Sequence, residues 1–281
     1  MEPRIARTVL AMKSLISRVK SKGLKVGFVP TMGALHEGHA SLYNYARNEC
    51  DFLVGSIYAN PTQFDNKKDL DRYPRTIESD LKLLKREKVD LVYLAESEDV
   101  YHNLEVTKID FGTLTETLEG AHRPGHFDGM TTIVRRLFEI VSPDIAVFGE
   151  KDFQQLAIIR EMVKREQINV LIKGHPIKRE KDGLAMSSRN RRLSEREYRN
   201  ALVISKAIFS APELKMNRLD PSELEKTITE KLVENMLKPD YVKIVESNTL
   251  KAAETFKNEQ EYRILIAAYS GETRLIDNGA L

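Results

Sequence analysis

The sequence predicts an α/β fold: a doubly wound, Rossmann-like parallel sheet with a second, smaller α+β domain behind it. Two observations carry that expectation. Along residues 1–176, short apolar runs alternate with segments of helical period. After Pro176 the order changes to charged loop, two capped helices and then strand-like runs. The expected division is therefore 1–176, a nucleotide- and substrate-binding domain, and 177–281, a smaller domain that carries a phosphate loop. Right-handed crossovers between the strands give the doubly wound topology.

The elements follow in order. Val9, Met12, Leu15, Ile16 and Val19 have the spacing of an amphipathic helix. Arg7, Lys13 and Arg18 interrupt it, so it lacks the apolar core of a secretory leader, and a cytoplasmic protein is expected. The run KVGFVP at 25–30 reads as a buried strand, with a helix at 39–50 after a glycine-bearing loop. Further strands are expected at 52–58, 91–94, 145–148 and 168–173, with helical segments at 77–88 and 153–165. Residues 178–192 read as a polar loop. Ser194-Glu195-Arg196-Glu197 is a capping box, and Asp220-Pro221-Ser222-Glu223 opens another helix with proline in its first turn. Strands close the chain at 241–245, 263–269 and 273–276, the last two joined by a hairpin at Ser270-Gly271-Glu272.

Composition narrows the class. With 41% hydrophobic and 31% charged residues in 281, the chain can bury a sizeable core and is not disordered. No run is long and apolar enough to span a bilayer. Lys and Arg total 44 against 42 Asp and Glu, and a net charge of +2 argues against a nucleic-acid binder. Cys50 is the sole cysteine, which excludes an intramolecular disulfide and a cysteine-based metal site; its helical surroundings suggest a buried structural thiol.

The chemistry-bearing motifs cluster after predicted strands, where ligands bind in a doubly wound sheet. PTMGALHEGH at 30–39 lies between a strand and its helix. Gly33 and Gly38 allow close backbone approach, and His36 and His39 can face the same phosphates, aided by the helix N-terminus. Histidines in a His-x-x-His pattern with an intervening glycine suit negative charge growing on phosphate oxygens. FGEKDFQQ at 148–155 offers Lys151 as a point charge, Asp152 for ribose or a helix cap, and Gln155 as donor and acceptor. Met186-Ser187-Ser188-Arg189-Asn190 sets two hydroxyls and a guanidinium in a row, a set suited to a triphosphate. Asn60 and Gln63 suit a small hydroxylated substrate, and the charged run 65–72 behind them reads as a flap, basic at Lys67 and Lys68. His122 joins no constellation and is expected to be structural or exposed.

Six segments in this order, PTMGALHEGH (30–39), SIYANPTQF (56–64), YPRT (73–76), EGAHRPGHFDGM (119–130), FGEKDFQQL (148–156) and DGLAMSSRN (182–190), resemble the pantothenate synthetase family. The resemblance spans the chain and implies ATP-dependent joining of pantoate to β-alanine through a pantoyl adenylate. It implies His39 as proton donor with His36 beside it, and Lys151 and Arg189 as further catalytic groups. ATP would lie along Met32, Gly33, Ala34, Leu35, His36, Glu37, Gly38 and His39. It would also meet Gly149, Glu150, Lys151, Asp152, Lys178, Met186, Ser187, Ser188 and Arg189. At Lys178 the family pattern has a small or apolar residue; a backbone contact to ATP would survive that change and a side-chain contact would not. Gln63 and Gln155 would hold pantoate, with Asn60, Tyr73, Ile133, Val134 and Phe148 shaping its pocket. Magnesium would travel with ATP, with Asp80 as a protein ligand, and a homodimer is implied. A nucleotidylyltransferase would share the histidines but needs a phosphate clamp where Asn60, Gln63 and Gln155 are neutral. An RNA-binding synthetase would need a basic surface, and a non-catalytic nucleotide sensor would need neither both phosphate loops nor the paired glutamines.

Overall fold

The computed structural model describes residues 2–64, 67–102, 104–217 and 219–281. The chain divides into two compact units. The first comprises Met1–Phe111, Arg123–Glu150 and Gln155–Pro176; the second comprises Gly112–His122, Lys151–Gln154 and Ile177–Leu281. In chain order, the elements up to residue 176 are β1 (Arg4–Ala6), α1 (Val9–Lys20), β2 (Val26–Thr31), α2 (Glu37–Arg47), β3 (Phe52–Ile57), α3 (Lys67–Asp71), α4 (Ile77–Arg86), β4 (Leu91–Leu94), α5 (Ser97–Val100), α6 (Thr113–Glu116), α7 (Glu119–His122), α8 (His126–Val141), β5 (Ile145–Gly149), α9 (Phe153–Arg165) and β6 (Leu171–His175). The rest are α10 (Glu195–Met216), α11 (Pro221–Glu234), β7 (Lys238–Glu246), β8 (Tyr262–Ser270) and β9 (Thr273–Ala280).

The first unit is built on a six-stranded sheet in the order β1-β4-β3-β2-β5-β6, with every pair parallel. Strand order reverses between β2 and β5, so the carboxyl ends of those two neighbours flank the topological switch point. Their apolar runs are buried along nearly their whole length, as strands covered on both faces must be. Tyr43 of α2 packs in one core layer with Leu53, Leu84 and Val92. Each such burial contributes about 1.5–3 kcal/mol. Gly55 is needed there because a Cβ would meet the Tyr43 ring.

Two differences from expectation stand out. Residues 4–6, read with the first helix, form an edge strand against β4. Three residues show no resolvable periodicity, and their pairing with Leu91–Tyr93 is a long-range choice. The charged run 65–72 holds the short helix α3, while Asp65 and Asn66 of the expected flap lie outside the described residues.

The second unit is a three-stranded antiparallel sheet, β7-β8-β9, with α10 and α11 packed on it. Both capping boxes form as read: Ser194 with Glu197, and Asp220 with Glu223 behind Pro221. The two bonds from Ser194 hold the Glu197 carboxyl below its usual range. Ser270-Gly271-Glu272 turns β8 into β9, with Gly271 in the left-handed region at φ 58°.

Candidate active site

The loop after β2 is shaped by two successive left-handed residues, Gly33 at φ 82° and Ala34 at φ 50°. A positive φ at alanine costs about 1 kcal/mol or more and must be over-determined by its surroundings. Asp80, in the first turn of α4, supplies the compensation. One carboxylate oxygen accepts the Ala34 N–H at 3.0 Å and the other the Leu35 N–H at 2.8 Å. The Thr76 hydroxyl donates to the same carboxylate at 3.0 Å. The Tyr73 hydroxyl donates to the Gly33 carbonyl at 3.3 Å, and the Thr31 hydroxyl accepts the Gly33 N–H. Asp80 is only 1% exposed. Both oxygens of Asp80, the residue expected as a magnesium ligand, accept bonds from the protein, and the residue acts as a buried clamp on the loop.

The histidines are fixed by the same end of α2. His36 is the N-cap, and its Nδ1 accepts the Gly38 N–H at 3.1 Å. His39 Nδ1 accepts the His36 N–H at 3.3 Å, completing a capping box in which both side chains are imidazoles. The rings lie 4.1 Å apart. Backbone donors on both Nδ1 atoms assign the proton of each neutral ring to Nε2. The pair therefore presents N–H donors at a helix N-terminus, a place that favours anions. Glu37 is exposed and pairs with Arg86 at 2.8 Å.

The expected acid-binding residues divide in two. Asn60 is fully buried, and its amide is engaged by the protein. Oδ1 accepts from the Tyr101 hydroxyl at 2.6 Å and the Thr62 hydroxyl at 3.1 Å, while Nδ2 donates to the Gly129 carbonyl at 3.2 Å. Asn60, expected to shape the acid pocket, thus holds its own loop through its side-chain amide. Gln63 ends a 3₁₀ turn, Pro61–Gln63, and Gln155 lies in the first turn of α9. Neither side-chain amide takes a hydrogen bond among the described residues. Tyr73 is buried edge-on to Phe64, with ring centroids 5.4 Å apart. Ile133 and Val134 are buried on α8, and Phe148 is buried on β5 against Phe138.

Most of the other residues expected at the phosphates lie in the second unit. Gly149 ends β5 and Glu150 follows it, both in the first unit, but Lys151–Gln154 belongs to the second. There the Lys151 carbonyl accepts from Asn278 Nδ2 at 3.0 Å, and Asn278 Oδ1 accepts from Arg263 at 2.6 Å. The Arg263 guanidinium lies 3.9 Å from the centre of the Phe153 ring. Asp152 is exposed. Ser187 caps the 3₁₀ turn Ser188–Arg192 by accepting the Arg189 N–H, which sets Ser187, Ser188 and Arg189 on one tight bend. Lys178 is exposed and bonds through its backbone: its carbonyl accepts the Met186 N–H at 3.0 Å.

Five residues escaped the reading of the sequence. Thr76 steadies Asp80, and Asn278 steadies Lys151. Gln154 bonds Leu114, Thr117 and Glu119, tying residues 112–122 to the lysine turn. Arg123 and His126 bond the Gln63 carbonyl. All but Asn278 stood inside a quoted motif, and for Arg123 and His126 their spacing of three was the available signal. His122 is exposed, with its ring 5.4 Å from Tyr241.

The family model for pantoate-beta-alanine ligase matches residues 4–280. The chain belongs to the pantoate–β-alanine ligase family. It is 44% identical to the pantothenate synthetase of Acetivibrio thermocellus over 277 residues, covering 98% of each chain. The crystal structure of pantothenate synthetase from Thermus thermophilus is 38% identical, covers 98% of both chains and superposes with a TM-score of 0.90. The pantoate–β-alanine ligase of Francisella tularensis, crystallised with beta-gamma ATP and beta-alanine, is 34% identical over 99% of this chain and 97% of its own, with a TM-score of 0.83.

Proposed function

We propose that this chain joins pantoate to β-alanine with ATP, forming pantothenate, AMP and pyrophosphate. The observation that carries the reading is the imidazole pair, whose Nε2–H donors are set by backbone bonds at the N-terminus of α2, beside the switch point. In the first step the pantoate carboxylate attacks the α-phosphorus, and the bond to the bridging oxygen of pyrophosphate breaks. His36 and His39 stabilise charge on the phosphate oxygens, with His39 the proton donor; Lys151, Ser187, Ser188 and Arg189 bind the phosphates. Charge that grows only in the transition state is where such donors gain most. Gln63 and Gln155 hold the pantoate hydroxyls and carboxylate. In the second step the β-alanine amine attacks the pantoyl carbonyl, loses a proton and expels AMP.

Residues 1–176 act as the main nucleotide- and pantoate-binding part, and residues 177–281 bring the second phosphate loop. With Asp80 engaged by its loop, magnesium enters as part of the MgATP substrate, held by phosphate oxygens and water. Among the described residues no helix is long and apolar enough to cross a membrane. Family membership supports a homodimer working in the cytoplasm. The test is exchange of labelled pyrophosphate into ATP with pantoate and magnesium present and β-alanine rigorously absent. Exchange is expected; a strict need for the amine would overturn the two-step reading, and exchange without pantoate would point to a different acid.

A further inference from the structure

The segment before α8, EGAHRPGHF, has no ligand role in the reading above, yet two of its side chains converge on one atom. The Gln63 carbonyl accepts from Arg123 Nη2 at 3.0 Å and lies 2.8 Å from His126 Nδ1. Arg123 Nη1 lies 3.1 Å from His126 Nε2. A guanidinium can only donate, so His126 Nε2 must accept, and the ring proton must sit on Nδ1. That proton then points at the Gln63 carbonyl. The three groups close a triangle in which each donor meets an acceptor.

The same turn is held from its other side. Asn60 donates to the Gly129 carbonyl, and its own carbonyl oxygen takes the Tyr101 and Thr62 hydroxyls. Gly129 lets α8 approach this closely: a Cβ there would run into the Thr62 carbonyl. Burial holds the Tyr101 hydroxyl above its usual pKa, despite the bonds to Thr62 and Asn60, so it stays a donor at neutral pH. The turn at residues 60–63 is thus held through the Asn60 side chain and the Gln63 carbonyl, while the Gln63 amide stays unbonded among the described residues.

We propose that Arg123 and His126 are positioning residues that aim the Gln63 side chain at the acid substrate; this rests on the reading of Gln63 as an acid-binding amide. They touch the backbone of Gln63 and set its direction, so acid affinity depends on them and ATP affinity does not.

The experiment measures KM for pantoate and for ATP in His126→Ala, His126→Asn, Arg123→Ala, Gln63→Ala and the His126→Ala/Gln63→Ala double variant. Hydrogen exchange of the peptide spanning residues 60–64 is followed in each. His126→Ala should raise the pantoate KM about tenfold, the size expected for one bond in a charge-assisted set. ATP KM should change less than about twofold. His126→Asn, whose amide N–H replaces Nδ1–H, should recover most of the loss. In the Gln63→Ala background His126→Ala should cost nothing further, because the group it aims is gone. Faster exchange at 60–64 should accompany the loss, and Arg123→Ala, at a part-exposed site, reports the same clamp if His126→Ala folds poorly. Equal rises in both KM values, an additive cost in the double variant, or unchanged exchange would overturn the proposal. An unaltered pantoate KM in Gln63→Ala would instead sink the acid-binding reading, and the exchange rates would then judge the clamp alone.

Discussion

The loop that follows β2 and the turn that follows β5 leave adjacent parallel strands, but they are held by different chemistry. The β2 loop carries His36 and His39 and is gripped by a buried carboxylate, with Ala34 and Leu35 N–H groups and the Thr76 hydroxyl all donating to Asp80. The β5 turn carries Lys151 and is gripped through its carbonyl by a neutral amide, Asn278. The first hold is charged, multidentate and internal to the first unit. The second is one neutral bond within the second unit, backed by the Arg263–Phe153 stack and the ion pairs around Glu119. Charge-assisted bonds to a buried carboxylate are about twice as strong as neutral ones. A loop that must keep a left-handed alanine needs the stronger hold.

Removing the support beneath the second region should have the largest effect on stability. Arg274 donates to both oxygens of Glu119 at 2.8 Å and to Asp240 at 2.7 Å. Burial works against its charge, yet the bonds to Glu119 and Asp240 and the charge of Glu119 outweigh it and hold the guanidinium above its usual pKa. Tyr241 donates to the same Glu119 and is pushed up by burial and by that carboxylate. Arg274→Met should cost roughly 3–5 kcal/mol in denaturant unfolding, because it leaves a buried carboxylate without its cation. Adding Glu119→Gln should return part of that. A cost under about 1 kcal/mol would mean that the pair behaves like a surface bridge.

On the proposed mechanism, the histidines carry the chemistry of the first region. His39→Ala should keep the fold and lower turnover on the order of 100-fold or more, with ATP affinity far less affected. Near-normal turnover in a folded variant would remove His39 from the reaction.

Asp80→Asn probes the charged hold directly. Replacing an oxygen by an N–H sets a donor against a backbone donor. The kcat/KM for ATP should fall by roughly 10- to 100-fold, while the magnesium concentration for half activity stays put. A large magnesium shift at an unchanged ATP KM would restore Asp80 as a metal ligand.

Asn278→Asp probes the neutral hold and should have the smallest effect. The new carboxylate keeps Arg263 but cannot donate to the Lys151 carbonyl. ATP KM should rise roughly fivefold, the size of one neutral hydrogen bond, with pantoate KM unmoved. A loss larger than that of Asp80→Asn would reverse the ranking of the two regions.

What the sequence determined by itself was local and periodic. Alternating apolar runs gave the parallel sheet, capping boxes at Ser194 and Asp220 placed two helix starts, and the order of the motifs gave the family. These signals lie within a few residues of one another, where hydrogen-bond geometry and burial period act. Only the tertiary structure decided what each polar side chain spends its atoms on. Asp80 is 46 residues from Ala34, Asn60 bonds Gly129 across 69 residues, and Asn278 reaches Lys151 across 127. A carboxylate or amide in a motif looks the same in sequence whether it faces a ligand or a backbone. Asp80 and Asn60 bond backbone and hydroxyl groups because the fold buries them, and a buried polar group must find its partners within the protein. Gln63 and Gln155, of similar chemistry, are left with their amides unbonded among the described residues, because the fold fixes their backbones and not their side chains.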